Sequence, residues 1–250
     1  MFLSVSNDLF FSFPRSAWER IVRRLILLLI VILIINGKSV SQHFQPPRIE
    51  AAQHQIDSLL STYPGGPYES ESLVDIDSSV GNLGIADGQI KDPYGTLKRC
   101  FLFVAVKQDT SNDEWQSSVG IFRNDSILWL SDYVEGSHRG SEFCGTLDLN
   151  KSGTVDILTG YTYGSQMQYE MLIINSWNGT RGIRIDDHDS SGISSINALD
   201  GSFKIVDENG DGMYKIYGSI GDVAVGGGGF DIKRRAVYTW NGKYYGEWKK

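Results

Sequence analysis

The chain has 250 residues and a formal charge of −7. Without its first 41 residues it keeps 18 basic against 28 acidic side chains, a surface that repels nucleic acid and anionic lipid, because both are bound by Lys and Arg neutralising phosphate. Such a surface suits calcium and soluble partners, and the remaining length supports one domain with a sizeable core or a short repeat array.

In chain order, Arg15, Arg20, Arg23 and Arg24 precede an unbroken apolar run from Leu25 to Ile35. That run is far shorter than the about twenty residues a membrane-spanning helix needs. A basic flank, a short apolar centre and small residues at Ser39-Val40-Ser41 read as a secretory signal peptide over 1–41, cut before Gln42. The alternative is an uncleaved anchor, since the basic flank is long. No cysteine stands directly after the cut, which argues against a lipoprotein. The reading is therefore a secreted, periplasmic or cell-envelope protein with no stable membrane span after cleavage.

Residues 42–66 read as a helix and linker. Ile49, Ile56, Leu59 and Leu60 recur at helical spacing before Pro64-Gly65-Gly66. From 67 to 250 the pattern is that of many short strands: β-branched and aromatic runs such as "CFLFVAV", "VDILTGYTY" and "EMLIINSW" alternate with clusters of Gly, Asn, Asp and Ser.

These strands repeat. "MLIINSWNGTRGIRI" and "RAVYTWNGKYYGEW" share a strand, a Trp-Asn-Gly turn and a second strand, and Asn-Gly is a strong hairpin signal because both turn residues must tolerate positive φ. "SSVGIFRNDSILWL" is a third copy, with Asn124-Asp125 at the turn. Upstream of each hairpin, at a nearly fixed distance, stands an acidic turn: Asp92 before Asn124, Asp148 before Asn178, Asp207 before Asn241. The unit is strand, acidic turn, strand, linker, strand, Asn turn, strand. Four-stranded units of this kind stack as in a β-propeller, where each small sheet buries its faces against its neighbours. The fold expected is all-β, a propeller-like array of about three four-stranded units behind one short helix. "YESESLVDIDSSVGNLG" is the candidate for a fourth.

"GTLDLNKSGTVDILTG" and "FKIVDENGDGMYKIYG" resemble the repeats of the FG-GAP and VCBS families, found in integrin-type propellers and exported bacterial proteins. The resemblance covers about residues 85–250, without the FG-GAP tripeptides themselves. It implies calcium in the acidic turns and a binding or adhesion module that recognises an extracellular or envelope protein or a glycan.

The residues carry their own chemical argument. Calcium takes six to eight oxygens, and in 148–156 these would come from Asp148, Asn150, Ser152, Thr154 and Asp156, with Gly153 easing the turn. The second loop offers Asp207, Asn209 and Asp211, but Lys215 stands where a closing carboxylate belongs. Either Lys215 points away or its charge replaces the ion as a metal-free clasp. "DDHDSSG" at 186–192 falls outside the repeat register and reads as a solvated connection, and Asp75 and Asp77 are weaker candidates still. In all these turns Asp, Asn and Ser can bond backbone amides without any metal.

Cys100 and Cys144 either close a disulfide, as export would permit, or stand as two separate buried thiols. Catalytic motifs are lacking. His43, His54, His138 and His188 have no metal-site spacing, "GSHRG" is no nucleophile elbow, and Gly226–Gly229 lack the Lys-Ser/Thr of a phosphate cradle. Trp115, Trp129, Tyr161 and Tyr163 fit either a sugar-binding face or sheet packing. The lack of any catalytic motif favours a non-enzymatic protein. The alternatives are a hydrolase acting on extracellular polysaccharide, with two carboxylates flanking a groove, and a structural subunit of an envelope assembly.

Overall fold

The computed structural model of the chain describes residues 47–77, 80–81, 90–109, 114–135, 137–163, 169–190, 192–198, 203–223 and 230–248. The signal segment over 1–41, His43 and the glycine run at 226–229 lie outside the described residues, as do the side chains of His138, Tyr161 and Tyr163.

Among the described residues the protein is mostly β, with one helix and two sheets. Helix α1 (Pro47–Leu60) begins at a proline, which costs nothing where no intrahelical partner is needed. Ile49, Ala52, Ile56 and Leu60 make its buried stripe, while Leu59, a quarter-turn away from Leu60, is exposed. That stripe covers Leu73, Phe101, Phe103, Ala105 and Phe122 on one face of the first sheet. The ring of Phe103 lies directly over Gly120, where a Cβ would stand 2.0 Å from it.

The strands fall into three antiparallel meanders of the same design. In the first, β1 (Glu69–Asp75), β3 (Phe101–Asp109), β4 (Glu114–Arg123) and β5 (Ser126–Leu130) pair in succession, with the short β2 (Val80–Gly81) on the outer edge of β1 and β6 (Val134–Glu135) beside β4. The segment beginning at Tyr68 thus supplies the first strand of this unit and does not build a fourth. In the second, β7 (Ser137–Leu147), β8 (Val155–Tyr163), β9 (Tyr169–Trp177) and β10 (Gly182–Arg184) pair in order. In the third, β12 (Lys204–Val206), β13 (Lys215–Val223), β14 (Phe230–Trp240) and β15 (Tyr245–Glu247) do the same. The short β11 (Asn197–Ala198) pairs antiparallel with β9 and parallel with β13, which joins the second and third meanders into one sheet.

Alternation along the strands then builds two interlayer cores. Leu102, Val104, Val119 and Ile121 face Val155, Ile157 and Trp177, so the first unit packs on the second. Leu158, Leu172 and Ile174, on the opposite face of β8 and β9, pack with Ile216, Ala236, Tyr238 and Tyr245 of the third. The middle unit is therefore apolar on both faces. Each fully buried Leu, Ile or Val contributes about 1.5–3 kcal/mol. Cys100 belongs to the first of these cores and Cys144 to the second, each as a free, buried thiol.

Candidate metal centre

Each acidic turn lies between the first and second strands of its meander, and all three close in the same way. The carboxylate of Asp148 accepts the Ser152 amide at 3.1 Å on one oxygen and the Gly153 amide at 3.2 Å on the other. Asp207 accepts the amides of Asp211 at 3.1 Å and Gly212 at 2.8 Å. Asp92 accepts those of Thr96 at 3.0 Å and Leu97 at 2.8 Å. One carboxylate thus spans the amides four and five residues ahead in every unit. The Asn turns match likewise in the second and third units. Asn178 Oδ1 accepts the Thr180 and Arg181 amides at 3.0 and 2.8 Å, and Asn241 Oδ1 accepts those of Lys243 and Tyr244, both at 3.0 Å. The glycines that follow, Gly179 and Gly242, have φ of 97° and 95°, which disfavours a side chain there.

The turns also touch in sequence order. Tyr94, from the first turn, donates its hydroxyl to Asp148 Oδ2. That bond to a carboxylate raises the phenol's pKa above its ordinary value. From the second turn, the Leu149 carbonyl accepts the Tyr214 amide at 2.9 Å and the Tyr245 hydroxyl at 2.8 Å. Lys151 lies over Gly212 of the third turn. The acidic turns therefore form a connected row along one end of the stacked sheets.

In the middle turn the oxygen donors converge. Asn150 Oδ1 accepts the Ser152 amide at 3.2 Å, Ser152 Oγ lies 2.5 Å from Thr154 Oγ1, and Thr154 Oγ1 lies 2.6 Å from Ser176 Oγ. Ser176 sits on β9 directly across from Asp156. Nothing in the sequence marks it, because its place depends on strand register. Asp156 is fully buried. Its Oδ2 accepts the Leu149 amide at 2.8 Å, while Oδ1 has no hydrogen-bond partner. Burial pushes this carboxyl up to about 7, against the lowering effects of the Ser176 hydroxyl and the Leu149 amide and with a further push from Asp148. A buried carboxylate oxygen without a donor is costly, and a hard cation would offset that cost. Two carboxylates, one amide oxygen and hydroxyls fit calcium's preference for oxygen. Among the described residues no group of three or more His, Cys, Asp or Glu gathers at one point, so neutral oxygens would complete any such shell.

The third turn is arranged differently. Lys215 bonds Glu208 Oε2 at 2.5 Å, and Tyr217 donates its hydroxyl to the same carboxylate. The Lys215 bond holds the Glu208 carboxyl below its usual range. Lys215 is thus paired with Glu208, outside the Asp207–Asp211 oxygens. Asn209 and Asp211 are exposed.

The remaining acidic segments have structural partners. Asp186, expected in a solvated connection, is buried instead: Arg184 grips it through Nε at 2.9 Å and Nη2 at 2.6 Å, and it accepts the Ile174 amide at 2.9 Å. Asp75 pairs with Arg48 at 3.1 Å, and Asp77 accepts the Arg99 amide at 2.8 Å. Trp115 and Trp129 pack against the first interlayer core. His54 is exposed on α1, and His188 Nδ1 lies 2.7 Å from the carbonyl of Asp186.

Comparison of the chain with protein-family models, with curated proteins and with solved structures finds no match in any of the three.

Proposed function

We propose that the chain is an exported, calcium-binding β-repeat protein of propeller-like design, serving as a binding or adhesion module rather than as an enzyme. The observation that carries this reading is the solitary Oδ1 of Asp156, buried behind a turn whose Asp148, Asn150, Ser152 and Thr154 present further oxygens. The resemblance of the Asp148 and Asp207 turns to FG-GAP and VCBS repeats points the same way. A cation there would neutralise Asp148 and Asp156 together and brace the second unit against the third through Leu149. Its role is stability, and the surface of the array is left for a partner.

The test is thermal melting of the full chain in calcium and in chelator, for the native sequence, Asp148→Ala and Asp156→Asn. A ligand present at about a hundred times its Kd stabilises by about 2.7 kcal/mol, which raises Tm by roughly 5–11 °C in a chain of this size. The native protein should show that rise and both variants should lose it. Identical curves with and without calcium for the native chain would remove the metal from the reading.

A further inference from the structure

The layer between the first and second units carries polar groups that a dry core would not hold. Strand alternation turns Val155, Ile157, Thr159, Ile173, Asn175 and Trp177 of β8 and β9 toward the first unit, and Leu158, Leu172 and Ile174 toward the third. Thr159, Asn175 and Trp177 are each at most 1% exposed. Among the described residues, five buried side-chain atoms have no hydrogen-bond partner in the protein, and four of them are on this one face: Thr159 Oγ1, Asn175 Oδ1 and Nδ2, and Trp177 Nε1. The fifth, Asp156 Oδ1, is on the opposite face of β8.

The three residues are neighbours. Asn175 is opposite Ile157 and Thr159 is opposite Ile173, so Thr159 and Asn175 stand diagonally across the strand pair, with Cβ atoms about 7 Å apart. Trp177 follows Asn175 on the same face, about 7 Å along β9. No direct bond joins them. A single molecule that both donates and accepts can bridge each gap, since two hydrogen bonds of about 2.8 Å reach about 5.6 Å between their ends.

Asn175 offers two donors and an acceptor oxygen, Thr159 a donor and an acceptor, and Trp177 one donor. Leaving such groups unpartnered in an apolar layer is costly, and buried polar groups are therefore hydrogen-bonded as a rule. Their partner must be small, because all three residues are enclosed. It must be uncharged, because the surrounding Val104, Val119, Ile121 and Ile157 bring no countercharge. It must also donate and accept. Water meets all three conditions, and the short valine side chains from the first unit leave it more room than leucine would.

We propose that this layer is an internal water site, in which at least two ordered waters, one in each gap, join Thr159 to Asn175 and Asn175 to Trp177. They complete the contact between the first and second units. The layer between the second and third units is closed by direct bonds instead, from the Tyr245 hydroxyl and the Tyr214 amide to the Leu149 carbonyl. The inference is independent of the calcium site, which lies on the other face of β8.

The experiment is NMR of the full chain in chelator, reading Overhauser effects from water to assigned side-chain protons and separating them from proton exchange by their sign in the rotating frame. The Trp177 indole N–H and the Asn175 amide should both show water cross-peaks of the kind that marks residence longer than the tumbling time of the protein. Thr159→Val and Asn175→Leu each leave the waters short of a partner and should each lower Tm by roughly 2–12 °C. The double variant should lose less than the two losses added together. Absence of the cross-peak at either group in the native chain would overturn the proposal, whether or not the variants fold. So would additive losses, or a higher Tm in either single variant, because the groups would then be independent of one another.

Discussion

Tyr245 reaches back across 96 residues of sequence to donate its hydroxyl to the carbonyl of Leu149 at 2.8 Å. The same hydroxyl lies 3.2 Å from the carbonyl of Tyr214. One buried phenol therefore ties the last strand of the third unit to the acidic turns of both the second and the third. Burial raises its pKa above the ordinary phenol value, so it is a donor at neutral pH.

Tyr245→Phe removes this tie while keeping the ring. Leu149 keeps the Tyr214 amide, so no carbonyl there is stranded, and the expected cost is about 1–2 kcal/mol. Urea unfolding should show a lower midpoint with an unchanged slope. An unchanged midpoint would mean that the third unit is held by its apolar face alone.

Asp156 makes metal-free stability depend on pH with a definite sign. Its folded pKa, about 7, lies above the ordinary carboxyl value of 3.8, so the folded state binds the extra proton between those values. Its contribution is full below about pH 4 and is lost as pH rises through 7, by up to about 4 kcal/mol in all. In chelator the protein should melt higher at pH 5 than at pH 8, and Asp156→Asn should remove most of that difference. Glu71 and Glu170, also raised by burial first, act in the same direction, so a residual slope remains.

The Arg184–Asp186 pair is almost wholly out of water. Arg184→Ala strands a buried carboxylate and should cost about 3–5 kcal/mol. Adding Asp186→Asn, which keeps an acceptor for the Ile174 amide, should restore much of the loss. Chemical denaturation of the two single variants and the double variant measures the coupling.

Cys100 and Cys144 give a chemical count of the fold. Burial pushes their thiols up to about 11 and about 12, so neither forms thiolate at pH 8. A thiol-reactive dye should label neither in the native protein and both in guanidinium without reductant. Fewer than two labels under denaturing conditions would reveal a disulfide.

What could be read from the residues was local. Asp92, Asp148 and Asp207 stand at nearly fixed distances from Asn124, Asn178 and Asn241 because each pair frames the same two long strands. The spacing is a covalent record of one supersecondary unit. Ile49, Ile56 and Leu60 gave away the helix for the same reason. Contacts that depend on register or layering left no such mark. Ser176 faces Asp156 only because β8 and β9 pair as they do. Tyr94 reaches Asp148 only because the first unit stacks on the second. Glu208 captures Lys215 from one residue beyond Asp207, so the ammonium at the closing position of the third turn is engaged elsewhere. Asp186 looked solvated because the run "DDHD" is hydrophilic throughout, yet the alternation of a strand end turns one of its carboxylates inward to Arg184.

Trp129 on β5 and Trp177 on β9 come from different units, and their rings lie 6.0 Å apart at 39°. Trp129 also rests on Gly182 of β10, where a Cβ would stand 2.3 Å from the indole. Two indoles this close and this skewed couple their excited states, so the seam between the first and second sheets carries its own optical reporter. The near-ultraviolet dichroism of that couplet should vanish when the sheets part, even while each keeps its strands.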